Sequence, residues 1–185
     1  GWRIGYAAGP RGACHTHGLA GYLSQGLLIP EMGINNKQDR HKMEVSEKIA
    51  AACHDLSALD DSFVNCNFQH FGGMSLTDML DSLNAITGWG LNMEELLTIG
   101  ERISTLKRLV NVKFGIDRKD DSLPKRIFEP AKEASLDSEP WGGRVGKIPE
   151  PFEEAMDRYY KLRGWDNNGK PTDETLKRLE LTEII

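Results

Sequence analysis

Two helix start signals of the same kind, each followed by apolar residues at helical spacing, constrain this 185-residue chain more than any other feature. Ser75 is followed three residues later by Asp78, and Asn92 by Glu95, which is the spacing of a capping box at a helix N-terminus. Gly88 lies where a glycine commonly ends a helix. We therefore predict one helix between Ser75 and Gly88 and a longer one from Asn92 to about residue 115. Their apolar faces are Leu76, Met79, Leu80, Leu83 and Ile86 in the first and Leu96, Ile99, Ile103, Leu106 and Val110 in the second.

Further helices are predicted on both sides of this pair. Apolar residues recur at near-helical spacing over about 43–58, and again over about 151–163, where Gly164 marks the end. Phe152, Met156, Tyr159 and Tyr160 are expected to face inward in that second helix. Pro171 precedes a short last helix over about 172–181.

The segments between these helices are expected to be irregular. Residues 1–42 are rich in glycine, so we expect loops with one short helix near 19–28, and we expect loops over 61–68 and 116–149. No run alternates apolar and polar residues convincingly over the length of a strand. The predicted fold class is therefore all-α, a multihelical domain with long irregular loops.

Composition narrows the function classes. The net charge of −5 gives no electrostatic reason to expect nucleic acid as a partner, and no apolar run approaches the roughly 20 residues of a membrane span. The three cysteines are too few for a disulfide framework, which favours a reducing, cytoplasmic location. No signal peptide is visible, and because the first residue is Gly1 rather than Met, we expect the chain to be part of something longer.

A glycine-rich segment, Gly9–Gly18, concentrates reactive side chains near the start of the chain. It holds Arg11, Cys14, His15 and His17, and its glycines allow the backbone to approach a ligand closely. Such a loop is suited to binding an anion, a metal or a reacting oxygen, although a plain connector with incidental histidines has the same residues. The spacing matches no tetrahedral zinc pattern with paired ligands.

A second segment, Asp60–Phe68, combines a carboxylate with a cysteine. Cys66 is interpreted either as a buried structural thiol or as a thiolate ligand to iron, and four thiolates hold a 4Fe–4S cluster. This chain cannot supply four, so other ligands would come from elsewhere. Asp61 is either a turn residue or a carboxylate that accepts two parallel N–H bonds, such as those of the amino-pyrimidinone edge of a pterin.

Taken in order, several stretches resemble the aldehyde:ferredoxin oxidoreductase family. Each is weak alone, but together they cover nearly the whole chain in family order. They are Arg11-Gly12 with Cys14-His15; Ala58-Leu59-Asp60-Asp61-Ser62 leading to Cys66-Asn67-Phe68; Asn84-Ala85-Ile86-Thr87-Gly88-Trp89; Glu94-Glu95-Leu96-Leu97 with Gly100-Glu101-Arg102-Ile103; Arg118-Lys119-Asp120-Asp121 with Leu123-Pro124; and Tyr159-Tyr160-Lys161-Leu162-Arg163-Gly164-Trp165-Asp166. By residue type alone, the stretch that begins at Arg118 is a charged turn, and the stretch that begins at Tyr159 is a core helix followed by the residues that end it.

The resemblance implies a tungsten or molybdenum ion held by two pterins (molybdopterin), with one 4Fe–4S cluster beside a pterin. Residues 1–42 would be a glycine-rich segment near the cofactors, and residues 43–185 a helical C-terminal domain. Cys66 matches the fourth cysteine ligand of the cluster, and Asp61 with Asn65 falls in the family's pterin-contact segment Asp-x-x-Gly-Leu-Cys. Here Val64 and Asn65 replace Gly-Leu. His15 best matches a histidine near the metal, and His17 is a second candidate.

The resemblance also implies a reaction. An aldehyde would be oxidised to a carboxylic acid, His15 would orient it or accept a proton, and electrons would pass through the cluster to ferredoxin. The N-terminal domains of the same enzyme would be partners, so this chain alone is expected to be inactive. Two alternatives stay open at this point: a cofactor-free helical interaction or scaffold domain, and a homologue acting on another substrate such as an aromatic thioester.

Overall fold

The computed structural model describes residues 1–17, 23, 26–37, 46–129 and 151–183. Within these residues the chain forms six α-helices and three short 3-10 turns, and its only β-type pairings are isolated bridges. The helices are α1 (Trp2–Ala7), α2 (Ser46–Phe63), α3 (Leu76–Thr87), α4 (Met93–Lys113), α5 (Phe152–Arg163) and α6 (Asp173–Arg178). The 3-10 turns are Pro30–Met32, Asn67–Gly72 and Lys125–Ile127. The all-α prediction is confirmed.

Helix α2 is the centre of the structure, since α1, α4 and α5 all pack against it. Small residues on α2, including Ala50 and Ala58, are fully buried and let neighbouring helices approach. The approach of α4 is closest at Gly100, where a Cβ atom would lie 3.0 Å from the Asp55 carbonyl oxygen. One core therefore lies between α2, α3 and α4, and a second lies between α1, α2 and α5.

Both capping boxes predicted from the sequence are present. The Asp78 amide donates to Ser75 Oγ at 3.1 Å and the Ser75 amide donates to Asp78 Oδ2 at 2.8 Å. The corresponding distances between Asn92 and Glu95 are 3.0 and 2.8 Å. Gly88 ends α3 in the left-handed conformation at a φ of 70°. These local bonds fix the α3–α4 hairpin without help from distant residues.

The predicted end of the central helix was wrong by about one turn. The pattern indicated about 43–58 with a loop over 61–68, whereas α2 continues to Phe63, so Asp61 belongs to its last turn. No glycine or proline interrupts this stretch, and Ser62 Oγ donates back to the Ala58 carbonyl at 2.8 Å. The helix ends where Val64 adopts a φ of 58° and the Asn65 amide donates to the Asp60 carbonyl at 2.8 Å.

Other sequence-based boundaries and faces also need correction. Helix α1 was not predicted, although its Ile4 is fully buried. Ile86 and Val110, placed on apolar faces, are 85% and 48% exposed, because α3 and α4 face each other through other positions. The last helix is shorter than predicted and ends before Glu180, whose φ is 57°. The helix expected near 19–28 falls largely outside the described residues, as does 130–149 of the long loop.

The segment after α4 is not simply a surface loop, because Asp121 is only 4% exposed and holds a buried network. It accepts a hydrogen bond from Arg108 Nη1 at 2.9 Å and another from the hydroxyl of Tyr160. Arg108 Nε also donates to the Gly169 carbonyl at 2.7 Å. Because a buried charge must be paired, this network ties α4, α5 and the turn between α5 and α6 into one body.

None of the helices in the described ranges is both long enough and apolar enough to cross a membrane.

Candidate cofactor site

The glycine-rich segment and the C-terminal end of α2 meet in space. His17 Nε2 lies 2.9 Å from Asp61 Oδ2. Two further side chains fix the backbone of the segment: Ser57 Oγ donates to the His17 carbonyl at 3.2 Å, and Asn67 Nδ2 donates to the Thr16 carbonyl at 3.1 Å. The two segments singled out from the sequence, 44 residues apart at His17 and Asp61, therefore form one site.

Asp61 presents a charged carboxylate at this junction. Its side chain is 46% exposed, and Oδ2 also accepts a hydrogen bond from Lys107 Nζ of α4 at 3.2 Å. Partial burial alone would raise the pKa of Asp61, but the hydrogen bonds from Lys107 and His17 outweigh it and leave the pKa below its ordinary value. The carboxylate is thus ionised at neutral pH and available to a ligand that donates hydrogen bonds.

His17 is a buried neutral support for Asp61. It is 2% exposed, and burial lowers the pKa of its imidazole despite the opposing effect of Asp61. A carboxylate only accepts hydrogen bonds, so Nε2 carries the proton. Nδ1 has no hydrogen-bond partner in the described part of the chain. His17, predicted as a second candidate beside the metal, is therefore engaged with Asp61 on one side of its ring.

Cys66 is an exposed thiol one turn beyond Asp61. It precedes the 3-10 turn Asn67–Gly72, and its carbonyl accepts from the Gln69 amide at 2.9 Å, which fixes the backbone on its C-terminal side. The interpretation of Cys66 as a buried structural thiol is wrong. That description fits Cys53 instead, which is fully buried in α2 and whose pKa burial raises to about 12.

His15 lies on the surface against aromatic side chains of α1. Its Nδ1 is 2.7 Å from the Tyr6 hydroxyl, and its ring packs edgewise on Trp2 with centroids 4.7 Å apart. Helix α1 thus holds the imidazole while the ring itself stays exposed. An imidazole held in this way is a candidate general acid or base.

Cys14, beside His15, is a partly exposed and activated thiol. Arg11 Nη2 lies 3.4 Å and Thr16 Oγ1 3.3 Å from its sulfur. Burial alone would raise the pKa of Cys14, but the hydrogen bonds from Thr16 and the backbone and the charge of Arg11 lower it to about 7. Within the described residues, no three His, Cys, Asp or Glu side chains are grouped to hold a metal ion.

Comparison with known proteins decides the family. Residues 1–181 match the family model described as aldehyde ferredoxin oxidoreductase, domains 2 and 3. The chain belongs to the aldehyde ferredoxin oxidoreductase family. It is 38% identical over 185 residues to a tungsten-containing aldehyde ferredoxin oxidoreductase of Pyrococcus abyssi, and 38% identical over 184 residues to one of Pyrococcus furiosus. Each alignment covers 98% of this chain and 28% of the relative, so the chain spans about a quarter of the length of these relatives.

A more distant relative carries a different name. The aliphatic sulfonate oxidoreductase, WOR-like subunit, of Pyrococcus furiosus is 33% identical over 136 residues, which are 69% of this chain and 20% of the relative.

The structure shows how the chain accommodates Val64, which replaces the glycine of the expected Asp-x-x-Gly-Leu-Cys segment. Val64 stands at the glycine position, yet it adopts a φ of 58°, the left-handed conformation that glycine accepts readily. Val64 is 91% exposed, so its side chain lies almost entirely in solvent. In this chain a left-handed turn between Asp61 and Cys66 therefore forms without a glycine.

The sequence did not point to three residues that build the site. Lys107 belongs to the polar surface of a predicted helix, Ser57 to a predicted helix end, and Tyr6 to a stretch predicted as irregular. None carries a local signal, because each acts on a partner at least nine residues away. Only the packing of α1 and α4 against α2 reveals them.

Proposed function

We propose that this chain is the helical C-terminal part of a tungsten- or molybdenum-bis-pterin aldehyde:ferredoxin oxidoreductase. In this proposal Cys66 supplies one ligand of a 4Fe–4S cluster, and Asp61 with Asn65 contacts a pterin. Residues 1–42 form the glycine-rich segment near the cofactors, and residues 43–185 form the helical domain. The N-terminal domains of the same enzyme supply the other three cluster cysteines, and ferredoxin accepts the electrons.

One observation carries the proposal: a solvent-exposed thiol, Cys66, and an ionised carboxylate, Asp61, lie five residues apart at the end of α2, beside the segment that bears His15. A cofactor-free scaffold domain has no need of this arrangement. Asp61 keeps 46% of its side chain exposed although Lys107 and His17 contact it, whereas Asp121 is 4% exposed and enclosed by its partners. The residues present also fit the cofactors chemically, since iron–sulfur clusters take thiolates and a pterin edge offers N–H donors to a carboxylate.

The chain's own residues have separable tasks in the reaction. The metal and its pterins supply the two-electron oxidation of the aldehyde when they are bound. His15, held by Tyr6 and Trp2, orients the aldehyde or accepts a proton from it or its hydrate. Asp61 holds the pterin edge, and Cys66 places the cluster beside it. All three cysteines are free thiols, which fits a reducing cytoplasm.

The assignment of the substrate is tested with a panel. An aldehyde and an aliphatic sulfonate should each be offered to the full-length protein with oxidised ferredoxin, which accepts the electrons. An aromatic thioester should be offered with reduced ferredoxin, because reduction of its ring consumes electrons. We expect turnover of the aldehyde alone, and no turnover by the isolated chain. Turnover of the sulfonate instead would place the enzyme closer in function to its more distant relative.

The cluster assignment is tested by Cys66→Ala in the full-length protein. We expect the 4Fe–4S iron and acid-labile sulfide bound per protein to fall toward zero. The electron paramagnetic resonance signal of the reduced cluster should fall with them. Cys53→Ala is the matched control: it removes a buried thiol and should lower thermal stability while leaving iron per folded protein unchanged. Unchanged iron in Cys66→Ala contradicts the assignment.

A further inference from the structure

The carboxylate of Asp61 is held from two sides by elements that are far apart in sequence. His17 comes from the glycine-rich segment and Lys107 from α4, and both donate to the same oxygen, Oδ2, at 2.9 and 3.2 Å. Each of the three side chains thus belongs to a different element. A carboxylate held by two donors loses the freedom to rotate about its terminal bond, so its second oxygen points in a fixed direction.

The two donors also divide the carboxylate into an occupied and an open oxygen. A carboxylate oxygen has two lone-pair sites, and His17 and Lys107 take both on Oδ2. Oδ1 has no hydrogen-bond partner among the residues that the structure describes. The open oxygen lies on a side chain that is 46% exposed, whereas His17 is 2% exposed and Lys107 31% exposed in its side chain. Asp61 is therefore the most exposed of the three side chains, and Oδ1 is its open oxygen.

We propose that Lys107 and His17 are positioning residues for the pterin, which hold Asp61 turned so that Oδ1 accepts the pterin's N–H donors. This inference rests on the proposed function and adds two residues to it, one of them on a helix that carries no other candidate site residue. Lys107 acts mainly through charge and orientation. His17 acts as a buried neutral donor whose ring cannot move without opening the junction between the glycine-rich segment and α2.

The test measures pterin retention and not turnover. Lys107→Met, Lys107→Arg and His17→Leu are made in the full-length holoenzyme, and the half-time of pterin release in mild denaturant is followed by the fluorescence of the oxidised pterin. We expect about two- to fivefold faster release for Lys107→Met, since the ion pair is partly exposed. We expect about tenfold faster release for His17→Leu, since its hydrogen bond is buried. Lys107→Arg restores a donor and should stay within about twofold of the parent.

Two controls separate positioning from general destabilisation. Lys113→Met removes an exposed lysine from the same helix and should leave the half-time unchanged. Lys107→Met placed in an Asp61→Asn background should add no further acceleration, because the carboxylate that it holds is already gone. Circular dichroism melting of each variant shows whether the helices remain folded, and Lys107→Met keeps the test decisive if His17→Leu does not fold.

The outcomes are distinguishable. If Asp61→Asn accelerates pterin release but Lys107→Met does not, the positioning inference is overturned and the proposed pterin contact stands. If Lys107→Met accelerates release equally with and without Asp61, it acts independently of the carboxylate and the inference is overturned. If Asp61→Asn leaves release unchanged, both the pterin contact and the inference fall.

Discussion

The buried pair of His70 and Asp60 makes the stability of the Cys66 loop depend on pH. His70 Nδ1 lies 2.9 Å from the Met74 carbonyl, and Nε2 lies 3.0 and 3.1 Å from the two Asp60 oxygens. Carbonyl and carboxylate oxygens only accept, so both ring nitrogens donate and His70 is an imidazolium. The hydrogen bond that His70 donates to Asp60 raises the pKa of His70 above its ordinary value, although burial opposes this.

The sign of the pH dependence follows from that raised pKa. The unfolded chain loses its histidine proton near pH 6.5, and the folded chain keeps it to a higher pH. The stabilisation is therefore fully present below about pH 6.5 and is lost as the pH rises through the folded value. Its size is that of a hydrogen bond between charged and buried partners, about 2 kcal/mol, since the two side chains are 5% and 2% exposed.

Asp60→Asn removes the charge but keeps a group of nearly the same shape. Its amide donates to a neutral imidazole, so the variant does not need the extra proton. We expect the free energy of unfolding to fall by about 2–3 kcal/mol at about pH 6 and by under about 1 kcal/mol at about pH 9. Urea titration of parent and variant at both pH values gives this difference.

Asp81→Asn is the matched control, because Asp81 is an exposed carboxylate of α3. It should change the unfolding free energy by less than about 0.5 kcal/mol at either pH. A gap between Asp60→Asn and the parent that stays constant or widens from about pH 6 to about pH 9 would refute the imidazolium assignment.

Three further predictions concern backbone and thiol chemistry. Val64→Gly should raise the unfolding free energy, measured by urea titration, by about 0.5–1 kcal/mol. The relief of left-handed strain in the folded state exceeds the entropy that glycine adds to the unfolded chain. An unfolding free energy below that of the parent would contradict a strained turn at Val64. Gly100→Ala should lower the unfolding free energy by about 1–3 kcal/mol, since the new Cβ would lie 3.0 Å from the Asp55 carbonyl oxygen. An unchanged unfolding free energy would show that α4 can move away from α2 without cost. The rate of Cys14 alkylation, followed by peptide mass spectrometry, should reach half its maximum at about pH 7. Buried Cys53 should not react in the folded chain. A half-maximal rate of Cys14 alkylation only near pH 9 would contradict the description of Cys14 as an activated thiol.

The sequence predicted the helix boundaries well where capping residues mark both ends of a helix. The α3–α4 hairpin is specified by two capping boxes and Gly88, all of which act within four residues. The end of α2 could not be predicted in this way, because Val64 is a poor residue for the left-handed turn that it adopts. A glycine stop is visible in the sequence, whereas a valine in the left-handed conformation carries no local signal.

The candidate site was predictable only in part, for a related reason. Residue types and order indicated Asp61, Cys66 and His15, because carboxylates, thiols and imidazoles carry chemistry wherever they lie. Their supports are visible only after folding. Lys107 and His17 reach Asp61 across 46 and 44 residues of chain.

The neighbouring residues Asp60 and Asp61 at the end of α2 lie in different environments. Asp60 is 1% exposed and both its oxygens are committed to His70, which fixes the turn that follows Cys66. Asp61, one residue later and about 100° around the helix, keeps one oxygen open toward solvent. Because the first carboxylate anchors the loop, the second is free to bind a ligand without loosening it. A one-residue slip of α2 would exchange these environments and bury the carboxylate that is proposed to contact the pterin.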